Sequence, residues 1–140
     1  MRRILLSLCV FLLLPVSALL AESAVETLER GETSLAAEVV DGDTLLLKNG
    51  TKVRLVGIQA PKLPLGRAGF EAWPLAEEAK QALEDLALGQ TLTLYYGGRK
   101  TDHYGRALAH LKREDGLWLQ GALLVAGMAR VYSFRDNRRL

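Results

Sequence analysis

The dipeptide Asn49-Gly50 stands between two short apolar runs, Thr44–Leu47 and Lys52–Ile58. Asn-Gly accepts the positive φ that both central residues of a type I′ turn require, and this turn joins antiparallel strands with the correct twist. The chain around it is therefore committed to a hairpin. A second turn signal, Asp41-Gly42, is entered from Leu35–Val40, so three strands are expected in succession. Downstream, Ala72, Leu75, Ala76, Ala79, Leu83, Leu86 and Ala87 recur at helical spacing, with charged residues between them. This predicts a helix within Glu71–Leu88. Pro74 is tolerable only in the first turn, which puts the start at Trp73 or Pro74, and Gly89 is the stop. Gln90–Tyr96 alternates as a fourth strand, Arg106–Lys112 reads as a fifth, and Leu117–Ala126 as a second helix ending at Gly127. The order β-β-β-α-β-β-α, in an α+β chain that is mainly β, suggests a small closed barrel, which hides the strand edges that loose strands would expose.

The beginning of the chain reads differently. Arg2 and Arg3 precede the apolar run Ile4–Leu14, then Pro15 and small residues. This is the layout of an export signal, with cleavage after Ala18 or Ala21; the alternative is a retained anchor over Ile4–Leu20. The expected organisation is a signal at 1–21, a polar linker at 22–34 and a domain at 35–140, exported to the periplasm or secreted. The sole cysteine, Cys9, lies in the signal, so the mature chain has no disulfide. Arg2 and Arg3 also account for the formal +2 of the 140 residues: the 18 Lys and Arg less these two match the 16 Asp and Glu. Five of those acids precede Val39, leaving 15 basic to 11 acidic residues beyond it. That mild bias favours polyanions but does not by itself establish nucleic acid as a partner.

Chemistry concentrates in Val39–Lys62. Asp41 and Asp43 close one apolar run, Arg54 lies inside another, and Pro61 is followed by Lys62. Acids and an arginine on rigid strands are the parts of a metal-and-phosphate site. His103 and His110 are isolated and read as surface or strand residues without metal-ligand spacing. Trp73, Tyr95, Tyr96 and Trp118 read as packing residues, and Lys112-Arg113 and Arg135–Arg139 as solvated faces.

Three blocks carry a resemblance. They are Val40-Asp41-Gly42-Asp43-Thr44; Val53-Arg54-Leu55-Val56-Gly57-Ile58 with Pro61 beyond it; and Lys100-Thr101-Asp102-His103-Tyr104-Gly105-Arg106-Ala107-Leu108-Ala109. In this order and spacing, and continued through Asp115–Val131, they resemble the staphylococcal nuclease, or thermonuclease-like, family over about Ala36–Val131. The resemblance implies a five-stranded oligonucleotide-binding barrel with packed helices, and calcium-dependent hydrolysis of DNA and RNA. It implies that Asp43 matches a calcium ligand and Asp41 an acid beside the metal. Arg54 and Arg106 match arginines that grip the phosphate, where a planar fork meets two oxygens at once. Tyr104 matches a tyrosine near the bound nucleotide. A third helix is implied past Arg130–Asn137, of which this sequence is expected to hold at most a turn or two.

The departures lie in Gln59-Ala60-Pro61-Lys62, where the family has Asp-Thr-Pro-Glu. Gln59 stands at a second carboxylate ligand and Lys62 at the general base. Position 59 goes from −1 to neutral and position 62 from −1 to +1, so the site is three charges more positive. Calcium requires several hard oxygens and binds more tightly as carboxylates accumulate, so no cofactor is expected unless the family's calcium site survives in altered form. Lys62 is expected to take the electrostatic role of the metal, giving a metal-free phosphate pocket or simply a salt-bridged cluster. Three functions follow: a binder of nucleic acid or a phosphate-bearing ligand with a degenerate catalytic site; a phosphodiesterase with a rearranged site, for which Glu71 and Asp102 are the candidate acids; or an envelope interaction domain.

Overall fold

A computed structural model describes residues 24–135 and residue 137. The expected signal or anchor falls outside these residues, and most of the stretch where a third helix is expected does too. Among the described residues no helix is long and apolar enough to cross a membrane. The elements are β1 (Glu29–Asp41), β2 (Thr44–Leu47), β3 (Lys52–Leu55), β4 (Ile58–Gln59), α1 (Ala76–Ala87), β5 (Thr91–Tyr96), β6 (Ala107–Arg113), α2 (Leu119–Val125) and β7 (Arg130–Val131). Five of them close a barrel in the order β1-β2-β3-β6-β5. All neighbours are antiparallel except β3 and β6, which run parallel with Arg54 opposite Leu108.

The alternation of each strand sends one face inward. Leu45, Leu47, Val53, Leu55, Leu92, Leu94, Ala109 and Leu111 fill the barrel, and Leu83 and Ala87 of α1 and Leu119 and Leu123 of α2 close it. Gln120 is the polar exception in this layer. It is fully buried, and its amide accepts from the Leu111 N–H at 3.1 Å and donates to the Ala109 carbonyl at 3.0 Å. This tethers α2 to β6 with its polar atoms paired, as burial demands.

Several boundaries differ from the sequence reading. β1 begins at Glu29, so much of the expected linker is strand, with Glu29–Leu35 laddered to β5. The acidic residues there point outward from a strand whose backbone is paired, which composition alone does not distinguish from a linker. The stretch before it is seated as well: Val25 is fully buried and Glu26 pairs with Lys112. Lys112 is accordingly buried, not part of a solvated face. The expected third strand divides at Val56-Gly57, where Gly57 takes φ 84°, and its second part, β4, pairs with the unforeseen β7. The first helix starts later than expected, at Ala76, because Leu75 before it adopts the left-handed conformation at φ 65°. Trp73 is largely exposed in that loop rather than packed.

Candidate functional site

The β3–β6 ladder is what assembles the site. Val53 and Leu55 face the core, so Arg54 between them faces outward. Ala107 pairs with Val53 and faces the core too, so Arg106 and Leu108 flank it on the same outer face as Arg54. Arg54, Arg106 and Leu108 thus line one cleft of about 310 Å³, walled by Tyr104, His103 and Asp102 from the loop before β6. The turn at Val56-Gly57, Gln59, and Tyr132 and Phe134 from the segment after β7 complete it. Tyr132 and Phe134 meet edge to face, with ring centroids 5.0 Å apart. Helical periodicity does not single them out; the sole local signal is their one-residue spacing, which puts both on one side of an extended segment.

Each arginine is held in place. Arg106 donates through Nε to Asp102 Oδ2 at 2.8 Å. Asp102 Oδ1 accepts from the backbone N–H groups of Tyr104 (2.9 Å) and Arg106 (3.0 Å). Partial burial works against it, yet these bonds and the Arg106 charge hold the Asp102 carboxyl below the usual carboxylate range. Arg54 donates to the Leu55 carbonyl through Nη1 and to the Ile58 carbonyl through Nη2 at 2.8 Å. Its guanidinium is therefore fixed by the β3–β4 turn at the side of the cleft.

The acid pair stands behind Arg54. Asp43 is fully buried. Its Oδ2 lies 3.4 Å from Arg54 Nη2, 2.8 Å from Lys62 Nζ and 2.8 Å from the donating Ala60 N–H. Its Oδ1 accepts from Lys62 Nζ at 3.1 Å and from the Thr44 hydroxyl at 3.4 Å. Burial alone would raise this carboxyl, but Arg54 and Lys62 outweigh it and hold it below the ordinary range. Asp41 is pushed upward, first by burial and then by the charge of Asp43. Its Oδ1 accepts from the Asp43 N–H at 3.0 Å, closing the Asp41-Gly42-Asp43 turn. Gly42 is required there by space: a Cβ would come within 2.6 Å of Ala60 Cβ and 2.8 Å of Ala79 Cβ.

The expected site residues thus fall into two groups. Arg54, Arg106, Tyr104 and Gln59 line the cleft; Asp41 and Asp43 are buried outside its lining, with the half-buried Lys62 on Asp43. Gln59 does not turn to Asp43. Its Oε1 accepts from Nε of Arg130, at 3.1 Å, and from Nη2. Asp102 adds a third acid against Arg54, Arg106 and Lys62, while Arg99 also lines the cleft.

The sequence model of the family described as staphylococcal nuclease homologue matches residues 52–139. The chain belongs to the staphylococcal nuclease family. It is 30% identical over 111 residues to a thermonuclease of Staphylococcus intermedius, covering 77% of this chain and 64% of the relative. It is 32% identical over 97 residues to an uncharacterized endonuclease of Escherichia coli O157:H7, covering 67% and 57%. A probable staphylococcal-like nuclease of Oryza sativa subsp. japonica is 33% identical over 97 residues, which cover 69% of this chain and 26% of the relative. The chain thus spans less than two thirds of the length of these relatives. The closed five-stranded barrel is consistent with the oligonucleotide-binding fold of the family.

The calcium implied by the family does not suit this set of donors. Among the described residues no group of three or more His, Cys, Asp or Glu side chains converges on a point. Both Asp43 oxygens already face donors, one of them a backbone N–H that no metal replaces, and the Gln59 oxygen is committed to Arg130. Glu71 is exposed before α1, and Asp102 is paired with Arg106.

Proposed function

We propose that this staphylococcal nuclease-family domain is exported and binds single-stranded nucleic acid, or another phosphate-bearing ligand, in the Arg54–Arg106 cleft without hydrolysing it. The observation that carries this reading is the placement of the two guanidinium groups on one outer face, with the centre of the exposed Tyr104 ring 5.4 Å from the Arg106 guanidinium carbon. Fixed guanidinium groups lose little entropy when they meet phosphate, and an exposed aromatic face supplies sequence-tolerant stacking. Hydrolysis needs a base within reach of the attacking water. The residue at that position, Lys62, is committed to both oxygens of Asp43.

The names of the relatives favour a second reading, a phosphodiesterase with a rearranged site. Incubating labelled single-stranded DNA with the chain, in calcium and in EDTA, separates the two. Intact DNA in both is expected. Cleavage that disappears with Arg106→Ala establishes the second reading.

A further inference from the structure

We infer that the Lys62 ammonium is a built-in cation standing where the family would hold its metal, so that this site takes its anionic ligand without any divalent ion. A calcium ion needs six to eight oxygens at 2.3–2.6 Å, supplied as lone pairs pointing inward. Here a single carboxylate receives Lys62 on both oxygens, at 2.8 and 3.1 Å, and the Ala60 N–H on one of them. Ala60 is 1% exposed and its backbone cannot withdraw without unpacking the Gly42 turn, against which it lies. An ion entering here would have to expel an ammonium and would still face a peptide N–H.

The second former ligand has also changed work. Gln59 retains a carbonyl oxygen, which calcium accepts readily, but that oxygen holds Arg130 at the β4–β7 pairing. The next residues, Tyr132 and Phe134, form a cleft wall, and the Tyr132 N–H donates to the Gly57 carbonyl at 2.9 Å. Position 59 thus fastens the wall of the ligand cleft instead of a metal. The two substitutions act together: one neutralises Asp43 from within, the other secures the segment beside it. Lys62 and Arg54 share the charge of Asp43, so Lys62 lessens the demand that Asp43 makes on the Arg54 guanidinium at the side of the cleft, as a bound cation would.

The metal half of this inference stands alone; the ligand half rests on the phosphate-binding reading above. The test is calorimetric titration and thermal melting of the full chain with calcium alone, up to about 10 mM, tenfold above the weakest dissociation constants typical of calcium modules. The wild type is expected to give neither a saturable heat nor a melting shift. A saturable response that Asp43→Asn removes overturns the inference. The pair Gln59→Asp with Lys62→Glu is expected to gain a calcium response, detectable even if that variant folds only when calcium is added. A double variant as silent as the wild type also overturns it, because these two side chains would then not be what excludes the metal. In a separate arm, binding of a single-stranded oligonucleotide is expected to be equal in EDTA and in calcium, and to weaken at least fivefold with Lys62→Gln. Affinity unchanged by Lys62→Gln overturns the ligand half. An absence of all oligonucleotide binding by the wild type removes the phosphate-binding reading while leaving the calcium result to be judged on its own.

Discussion

Lys62 reaches both oxygens of Asp43, at 2.8 and 3.1 Å, and binds the segment after β4 to the acidic turn between β1 and β2. Asp43 has no exposed surface and the Lys62 side chain is 20% exposed, so the pair is mostly withdrawn from water. Removing one partner of such a pair leaves an uncompensated charge, typically at roughly 3–5 kcal/mol. Arg54 and the Ala60 N–H remain in Lys62→Met, and Lys62 keeps some solvent access. The expected loss is therefore about 2–3 kcal/mol, read as a lower urea midpoint at unchanged slope.

Gly42 offers a test of the packing beneath the site. Its Cα faces Ala60 and Ala79 so closely that an added methyl must push α1 away from the turn. Overpacking of this kind costs roughly 1–3 kcal/mol. Gly42→Ala is expected to fall in that range, and Ala79→Gly combined with it to recover part of the loss. Equal stability of Gly42→Ala and wild type in urea would refute the close approach.

His110 makes stability depend on pH. It is buried on β6 against Trp118, its Nδ1 meets no hydrogen-bond partner among the described residues, and burial lowers its pKa to about 4. The unfolded chain takes up this proton near 6.5 and the folded chain only near 4. The His110 contribution is thus fully present above about 6.5, falls as pH drops toward 4 and changes no further below, where protonation of Asp43 and Asp102, held below the ordinary carboxylate range, lowers stability further. The loss over this window is at most about 3 kcal/mol, at 1.36 kcal/mol per pH unit. Urea midpoints measured between these limits should slope for the wild type and flatten for His110→Gln.

Asp102 acts on the ligand through Arg106. Its carboxylate holds the Nε edge of that guanidinium at 2.8 Å and the turn before it by two N–H groups. Asp102→Asn is expected to weaken oligonucleotide binding severalfold with Arg106 present, and to have no effect on binding in an Arg106→Ala background. Equal effects in both backgrounds would mean that Asp102 serves the loop alone.

Much of this was legible in the sequence because the signals were local. Asn49-Gly50 and the alternation of Thr91–Tyr96 specify strands by short-range geometry, and the spacing of Ala79, Leu83 and Ala87 specifies the buried face of α1. Arg54 and Arg106 were identifiable from their blocks, and their meeting follows from one parallel ladder. What was not legible depended on distant partners. Glu29–Ser34 looks like a linker until β5 is laid beside it. Lys112 looks solvated until Glu26 folds over it. Position 59 reads only as a lost ligand, because its new partner, Arg130, is 71 residues away. Leu75 defeats the helix reading by adopting a backbone conformation that its residue type does not suggest.

The central claim is that Arg54 and Arg106 bind phosphate with Lys62 in place of a metal. Fluorescence anisotropy of a labelled single-stranded oligonucleotide, titrated with the chain in EDTA across a series of salt concentrations, tests it most directly. Each neutralised phosphate adds about −0.7 to the slope of log affinity against log salt, so two or three contacts predict a slope of roughly −1.4 to −2.1. The account predicts that slope in EDTA, unchanged by calcium and made shallower by Arg54→Ala. Binding that appears only when calcium is added would contradict it.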